Sequence, residues 1–207
     1  MAVGEFISFG KMTIAIPSKD EAAKLLSDPS TFRGYSVCAE ALPPASMLNR
    51  ALTSDESWWM PRLFSDDSAR QIVGSGAFKS LPQESRIEIG YGISPACRRR
   101  GYATTGVQLL VHEAFSSGLV EEVYAEVSSS NEASRGVLRK IGFIFQRIVT
   151  TDEGVMELWT KQKPNRVPVT DSESQPRVPH HRTYGSVSGG SVRHGTSPRK
   201  DEAEASS

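Results

Sequence analysis

The first 163 residues predict a mixed α/β domain, and three observations predict it. Arg86–Ile93 alternates, which places Ile87, Ile89, Tyr91 and Ile93 on one face of a strand. Two helical stripes follow, over 103–117 and 131–141, with the strand-like Glu122–Val127 between them. Two further strand-like runs, Phe143–Val149 and Val155–Thr160, close around Asp152-Glu153-Gly154. Strand, helix, strand, helix and hairpin in that order give a sheet with helices laid on it.

From the N-terminus, Met12–Ile16 reads as a strand, and Ser18 suits the N-cap of a helix over Lys19–Leu26. Pro43 and Pro44 fit the first turn of a second helix reaching about Leu52. Trp58–Phe64 and Gln71–Lys79 read as strands joined by the turn Ser65-Asp66-Asp67-Ser68. Pro61 shortens the first of these or confines it to an edge. A period of two puts Trp58 and Trp59 on opposite faces, as packing residues or with one lining an acceptor pocket. In the first long helix Ala103, Val107, Leu110 and Ala114 recur at helical spacing, flanked by Val111 and Phe115, and Gly118 ends it. Asn131 caps the next helix, whose buried stripe is Ala133, Val137, Leu138 and Ile141, and Gly142 ends that one.

Composition narrows the function classes. Lys plus Arg equals Asp plus Glu at 24 each, so no overall field draws in nucleic acid or an anionic membrane. The apolar share of 38% is low because 164–207 lacks Leu, Ile, Phe, Met and Trp. Such a segment buries too little surface to offset an ordering entropy of about 1–2 kcal/mol per residue, and a disordered tail rich in Ser, Pro, Gly and Arg is expected. Cys38 and Cys97 form no CxxC pair, which argues for a reducing compartment and against a structural zinc site. Met1–Pro17 shows no basic-then-apolar leader pattern, and no run of about 18 apolar residues occurs. A cytoplasmic protein with no metal is the expectation.

The chemistry-bearing segment is Ser94-Pro95-Ala96-Cys97-Arg98-Arg99-Arg100-Gly101-Tyr102-Ala103. A short basic loop feeding a helix N-terminus cradles phosphate, because unpaired N–H groups and the helix dipole both favour an anion. Gly101 lets the backbone approach the ligand, and the arginines add charge. The loop matches neither GxGxxG nor GxxxxGK[ST], which disfavours dinucleotides and ATP. On the strand before it, Arg86, Glu88, Gly90 and Gly92 share one face, and the two glycines leave backbone open to an extended ligand or serve a bulge.

These residues resemble the GNAT superfamily of acetyl-CoA-dependent N-acetyltransferases. The family's pyrophosphate signature, Gln/Arg-x-x-Gly-x-Gly/Ala, is matched by Arg98, Gly101 and Ala103. Ile87–Pro95 is similar to its central strand. Asn131-Glu132-Ala133-Ser134 and Val137–Phe143 are similar to its second cofactor helix, most closely in the branch that acetylates ribosomal-protein N-termini. The resemblance is specific over 86–143 and diffuse over 11–85. It implies a central mixed sheet, mostly antiparallel with one parallel splayed pair, flanked by helices. It further implies acetyl-CoA as cofactor, a peptide or small-molecule amine as acceptor, and a homodimer as the family-level expectation. Cofactor contacts carry over to Tyr91, Gly92, Ile93, Arg98, Arg99, Arg100, Gly101, Tyr102, Ala103, Thr104, Asn131, Ser134 and Arg139, the last of which otherwise simply faces solvent.

Amines are mostly protonated near neutral pH, so attack on a thioester needs a base. Glu88 is the candidate, directly or through water; the alternative is a carboxylate that binds Arg86 or the substrate's ammonium. Cys97 as a covalent nucleophile lacks an evident base partner, so direct transfer is preferred. An N–H near Ile93 would polarise the thioester carbonyl. Many family members place a tyrosine on the second helix to protonate the leaving thiolate. Here that position is Leu138, which leaves Tyr124, Tyr91 or water. The other reading of the chain is a non-catalytic acyl-CoA-binding module.

Overall fold

The computed structural model describes the backbone of Ile7–Phe9 and all atoms of residues 12–152 and 154–164. Every described residue lies within the unit Met1–Arg166. The tail expected from residue 164 therefore falls, apart from Pro164, outside the described residues.

The elements run β1 (Ile7–Phe9), β2 (Met12–Ala15), α1 (Lys19–Ser27), β3 (Thr31–Phe32), β4 (Tyr35–Val37), α2 (Ala45–Thr53), β5 (Arg62–Asp66) and β6 (Gln71–Phe78). The second half adds β7 (Arg86–Ile93), α3 (Tyr102–Ser116), β8 (Glu122–Ser128), α4 (Glu132–Lys140), β9 (Ile144–Thr151) and β10 (Gly154–Gln162). The strands join in one sheet of order β1-β2-β5-β6-β7-β8-β10-β9, with the β3–β4 hairpin attached through β4 to β6. Pairing is antiparallel except between β4 and β6 and between β7 and β8. The β7–β8 ladder covers only Arg86–Glu88 against Glu122–Tyr124, and beyond it the two strands part. A mostly antiparallel sheet with a splayed parallel pair is the architecture expected.

Local chemistry sets the helix positions. Ser18 caps α1 with a full capping box: Ser18 Oγ accepts from the Glu21 N–H and Glu21 accepts from the Ser18 N–H. α3 lies close on the sheet because Gly76 and Gly106 make room for Phe64. A Cβ on Gly106 would sit 2.6 Å from the Phe64 ring, and one on Gly76 would sit 2.8 Å from it. α3, α4 and one sheet face enclose Phe64, Phe78, Ile87, Ile89, Leu110 and Leu138, whereas α1 and α2 enclose Ala22, Leu25, Leu48, Leu63 and Ile72 on the other side. Among the described residues no helix is long and apolar enough to cross a membrane.

Three expectations are corrected. Trp58–Phe64 is not one strand: Ser57–Trp59 forms a 3-10 turn, and β5 begins only at Arg62. The cause is Arg62, whose guanidinium is buried against Glu113 of α3 and accepted by the carbonyls of Ser57, Trp58 and Met60. Trp58 and Trp59 are thus not alternating strand residues. Trp58 packs edge-on against Phe78 at 4.9 Å, and Trp59 lies under Arg50 at 3.9 Å. Asp66, read as a turn residue, is the buried last residue of β5. In α4 the stripe does not all enter the core: Leu138 is buried, but Ala133 is exposed and Val137 half-buried, both facing an open cavity.

Candidate functional site

β7 delivers the chain to the site. Ser94 donates its N–H to Val73, Pro95–Cys97 turn once as a 3-10 helix, and Arg98 Nε donates to the Ile93 carbonyl at 3.2 Å. Arg99 and Gly101 then take positive φ, at 62° and 86°, which bends the loop sharply into α3. No side chain caps α3 at Gly101, and the first helical bond runs from the Thr105 N–H to Gly101. The N–H groups of Tyr102, Ala103 and Thr104 therefore point outward at the positive end of the helix dipole, as an anion site requires.

They open on a cavity of about 630 Å³. One wall is β7 and its loop, through Tyr91, Gly92, Ile93, Cys97, Arg98, Arg99 and Gly101. The floor is the first turn of α3, and the far wall is the start of α4, through Asn131, Ala133, Ser134 and Val137. The opening exists because β7 and β8 have parted. Asn131 caps α4 by accepting from the Ser134 N–H at 3.1 Å, and Tyr91 donates its hydroxyl to the Ser134 carbonyl at 3.3 Å, tying the walls together. Burial pushes the Tyr91 hydroxyl's pKa up. Antiparallel pairing with β6 uses the N–H groups of alternate β7 residues, so those of Tyr91 and Ile93 are aimed into the splay.

The strand's other face carries the carboxylates. Glu88 is half-buried, 2.7 Å from Lys79 Nζ, while Arg86 pairs with Glu122 of β8. Tyr124 stands opposite Glu88 in the parallel register; its pKa is raised by burial and by the charges of Glu88 and Glu126. Glu126 follows two residues on, where β8 has left β7, and was not anticipated. The signal was its alternation with buried Val123, Ala125 and Val127.

The cavity gathers Tyr91, Gly92, Ile93, Arg98, Arg99, Gly101, Tyr102, Ala103, Thr104, Asn131 and Ser134. Glu88 lies outside it, four residues before Gly92 on the same strand face, about 13 Å away at roughly 3.3 Å per residue. Arg100 turns from it toward Asp66, at 3.9 Å, and Arg139 lies over Trp159 at 5.8 Å; neither lines the cavity. Cys97, Ala133 and Val137 line it without having been assigned a ligand role. Cys97 Sγ is 3.4 Å from Cys38 Sγ, and burial holds the Cys38 thiol up at about 11. Leu138 is wholly buried.

A family model for the acetyltransferase (GNAT) domain matches residues 15–144, more than half of the chain. The chain belongs to that family. Its GNAT domain is 36% identical over 75 residues to two proteins of Bacillus subtilis (strain 168), the uncharacterized N-acetyltransferases YjdG and YoaA. Those matches cover 36% of this chain and 45% and 42% of the two relatives, so less than half of either protein is spanned. By structure the domain is similar to a putative ribosomal-protein-serine acetyltransferase from Vibrio cholerae, with TM-score 0.57, 12% identity, and coverage of 79% of this chain and 100% of that one. It is similar also to AAC(6')-Ib, solved with ribostamycin and coenzyme A, with TM-score 0.55, 17% identity, and coverage of 74% and 94%. At such identities the likeness establishes the fold.

Proposed function

We propose that this GNAT domain transfers an acetyl group from acetyl-CoA to a primary amine by direct attack. The amine is a protein N-terminus, an amino acid or a small molecule. One observation carries the reading: a single splay between β7 and β8 has outward N–H groups of a helix N-terminus at one end and carboxylates at the other. The N–H groups of Tyr102, Ala103 and Thr104, with Arg98 and Arg99, hold the pyrophosphate. Tyr91, Gly92 and Ile93 offer backbone to the pantetheine arm, which carries the thioester down the splay toward Glu88. Proteins of similar structure solved with coenzyme A or acetyl-CoA support the cofactor.

Glu88 takes a proton from the bound ammonium, directly or through water. The free amine nitrogen then bonds the carbonyl carbon and sheds a second proton to water as the carbon–sulfur bond breaks and the thiolate leaves with its electron pair. Lys79, with its Nζ 2.7 Å away, orients the Glu88 carboxylate. Of the two tyrosines, Tyr124 shares a face with Glu88 and stays protonated, whereas Tyr91 already donates to Ser134; Tyr124 or a water returns a proton to the thiolate. Two thiols kept free at 3.4 Å from each other fit a cytoplasmic setting.

The Lys79–Glu88 pair also favours a second reading, a non-catalytic acyl-CoA-binding module whose carboxylate is structural. Turnover with free-N-terminus peptides and small amines, for wild type and Glu88→Gln, separates the two. Loss of a general base lowers kcat by about a hundredfold or more while coenzyme A affinity stays the same. Equal loss of rate and affinity would make Glu88 structural and overturn the assignment. Coenzyme A binding without turnover of any amine would establish the module.

A further inference from the structure

Asp66 is a buried carboxylate that the proposed chemistry leaves unused, and it reaches the cofactor loop from a different part of the chain. It ends β5 with a side chain only 7% exposed. Its Oδ1 accepts from the Ser68 N–H and hydroxyl and from the Ala69 N–H, which closes the β5–β6 turn. Its Oδ2 accepts from the Tyr102 hydroxyl, 36 residues away, and lies 3.9 Å from Arg100 Nη2. Tyr102 is the first residue of α3 and lines the cavity. A negative charge beside a phosphate site opposes binding unless its orientation of nearby donors outweighs the repulsion.

The local sequence explains why such an anchor is needed. Gly101 holds φ 86° with open space around its Cα, and it supplies no side-chain cap. The first turn of α3 is thus attached to β7 through a permissive pivot and offers uncommitted N–H groups. The Tyr102–Asp66 bond fixes that turn to β5, and the same carboxylate draws Arg100 off the cavity. Asp66 is held ionised, its carboxyl down at about 2, and Tyr102 protonated, its hydroxyl pushed up to about 12, so the bond persists throughout the neutral range.

We propose that Asp66 is a positioning residue for the cofactor's pyrophosphate, acting through Tyr102 to set the direction of the N–H groups at the start of α3. The inference rests on the acetyl-CoA reading. Its test is calorimetric titration of the full chain with two probes: coenzyme A, and pantetheine, which lacks the pyrophosphate. Tyr102→Phe, which removes one hydroxyl and keeps the ring, is expected to weaken coenzyme A by about tenfold, the size of one charge-assisted hydrogen bond. Pantetheine affinity is expected to stay the same. Asp66→Asn should reproduce the pattern; if that variant fails to fold, Tyr102→Phe carries the test alone. Wild-type affinity for coenzyme A in Tyr102→Phe would overturn the inference, as would an equal loss for both probes. Failure of the wild-type chain to bind coenzyme A would overturn the cofactor reading along with it.

Discussion

Glu21 and Asp66 stay ionised far below the usual carboxylate range, for different reasons. The Arg33 guanidinium bonds both oxygens of Glu21 and brings its carboxyl from the ordinary 4.5 to about 2, helped by the Ser18 cap. The Ser68 hydroxyl, then Tyr102, bring Asp66 from 3.8 to about 2 against the opposing effect of burial. A carboxyl with a lower pKa in the folded chain binds fewer protons there than in the unfolded chain. Its stabilisation is therefore complete above about pH 5 and is lost as pH falls through 4 toward 2. Thermal midpoints measured from pH 6 to pH 2.5 should fall steadily below pH 5, and Glu21→Gln should flatten part of that fall. An equally steep acid limb in the variant would mean that Glu21 is not among the groups responsible. Buffers between pH 6 and 9 should leave both contributions unaltered.

At the scale of elements, the two glycines inside the described helices have opposite meanings. Gly106 of α3 faces Phe64, and a new Cβ would stand 2.6, 2.8 and 2.9 Å from three of its ring atoms. That ring is fully buried between α3 and β6 and has nowhere to go. Overpacking costs about 1–3 kcal/mol, more than the roughly 1 kcal/mol alanine gains in helix propensity, so Gly106→Ala should lower the midpoint. Gly136 of α4 has nothing within 4 Å of its new Cβ, so Gly136→Ala should raise it by a part of that same propensity. Equal shifts for both would mean that α3 does not sit on Phe64 as described. The same packing explains what could be read in advance. β7, β8 and the final hairpin carry strong strand periods, and Gly118 and Gly142 end α3 and α4 at positive φ, so this half of the fold was legible, and the arginines and Gly101 of the loop 94–103 marked the place of the candidate site. The stretch before β5 was not, because its conformation answers to Arg62, whose partners include Glu113, 51 residues away. The role of Asp66 was hidden likewise, since an aspartate in a Ser-Asp-Asp-Ser run looks like a turn until Tyr102 is brought to it. Ala133 and Val137 misled for a third reason: an apolar stripe marks a face shielded from water without saying whether protein or ligand shields it.

At the scale of the whole molecule, the cavity interrupts an otherwise continuous sheet. β7 with its loop and α3 form one wall, α4 the other, and Glu122–Tyr124 join them only at the far end of the splay. A ligand lying in the gap touches both walls and replaces the missing ladder with its own contacts. Coenzyme A at a hundredfold its dissociation constant should stabilise the full chain by about 2.7 kcal/mol, roughly 5–10 °C in midpoint for a domain of this size. ATP offers phosphates to the same N–H groups but has no arm to lie along Tyr91, Gly92 and Ile93, so at equal concentration it should shift the midpoint little. A large shift with coenzyme A alone assigns the stabilisation to the splay as well as to the helix N-terminus. Equal shifts with both would reduce the site to a phosphate cradle and deprive the parting of β7 and β8 of the role given to it.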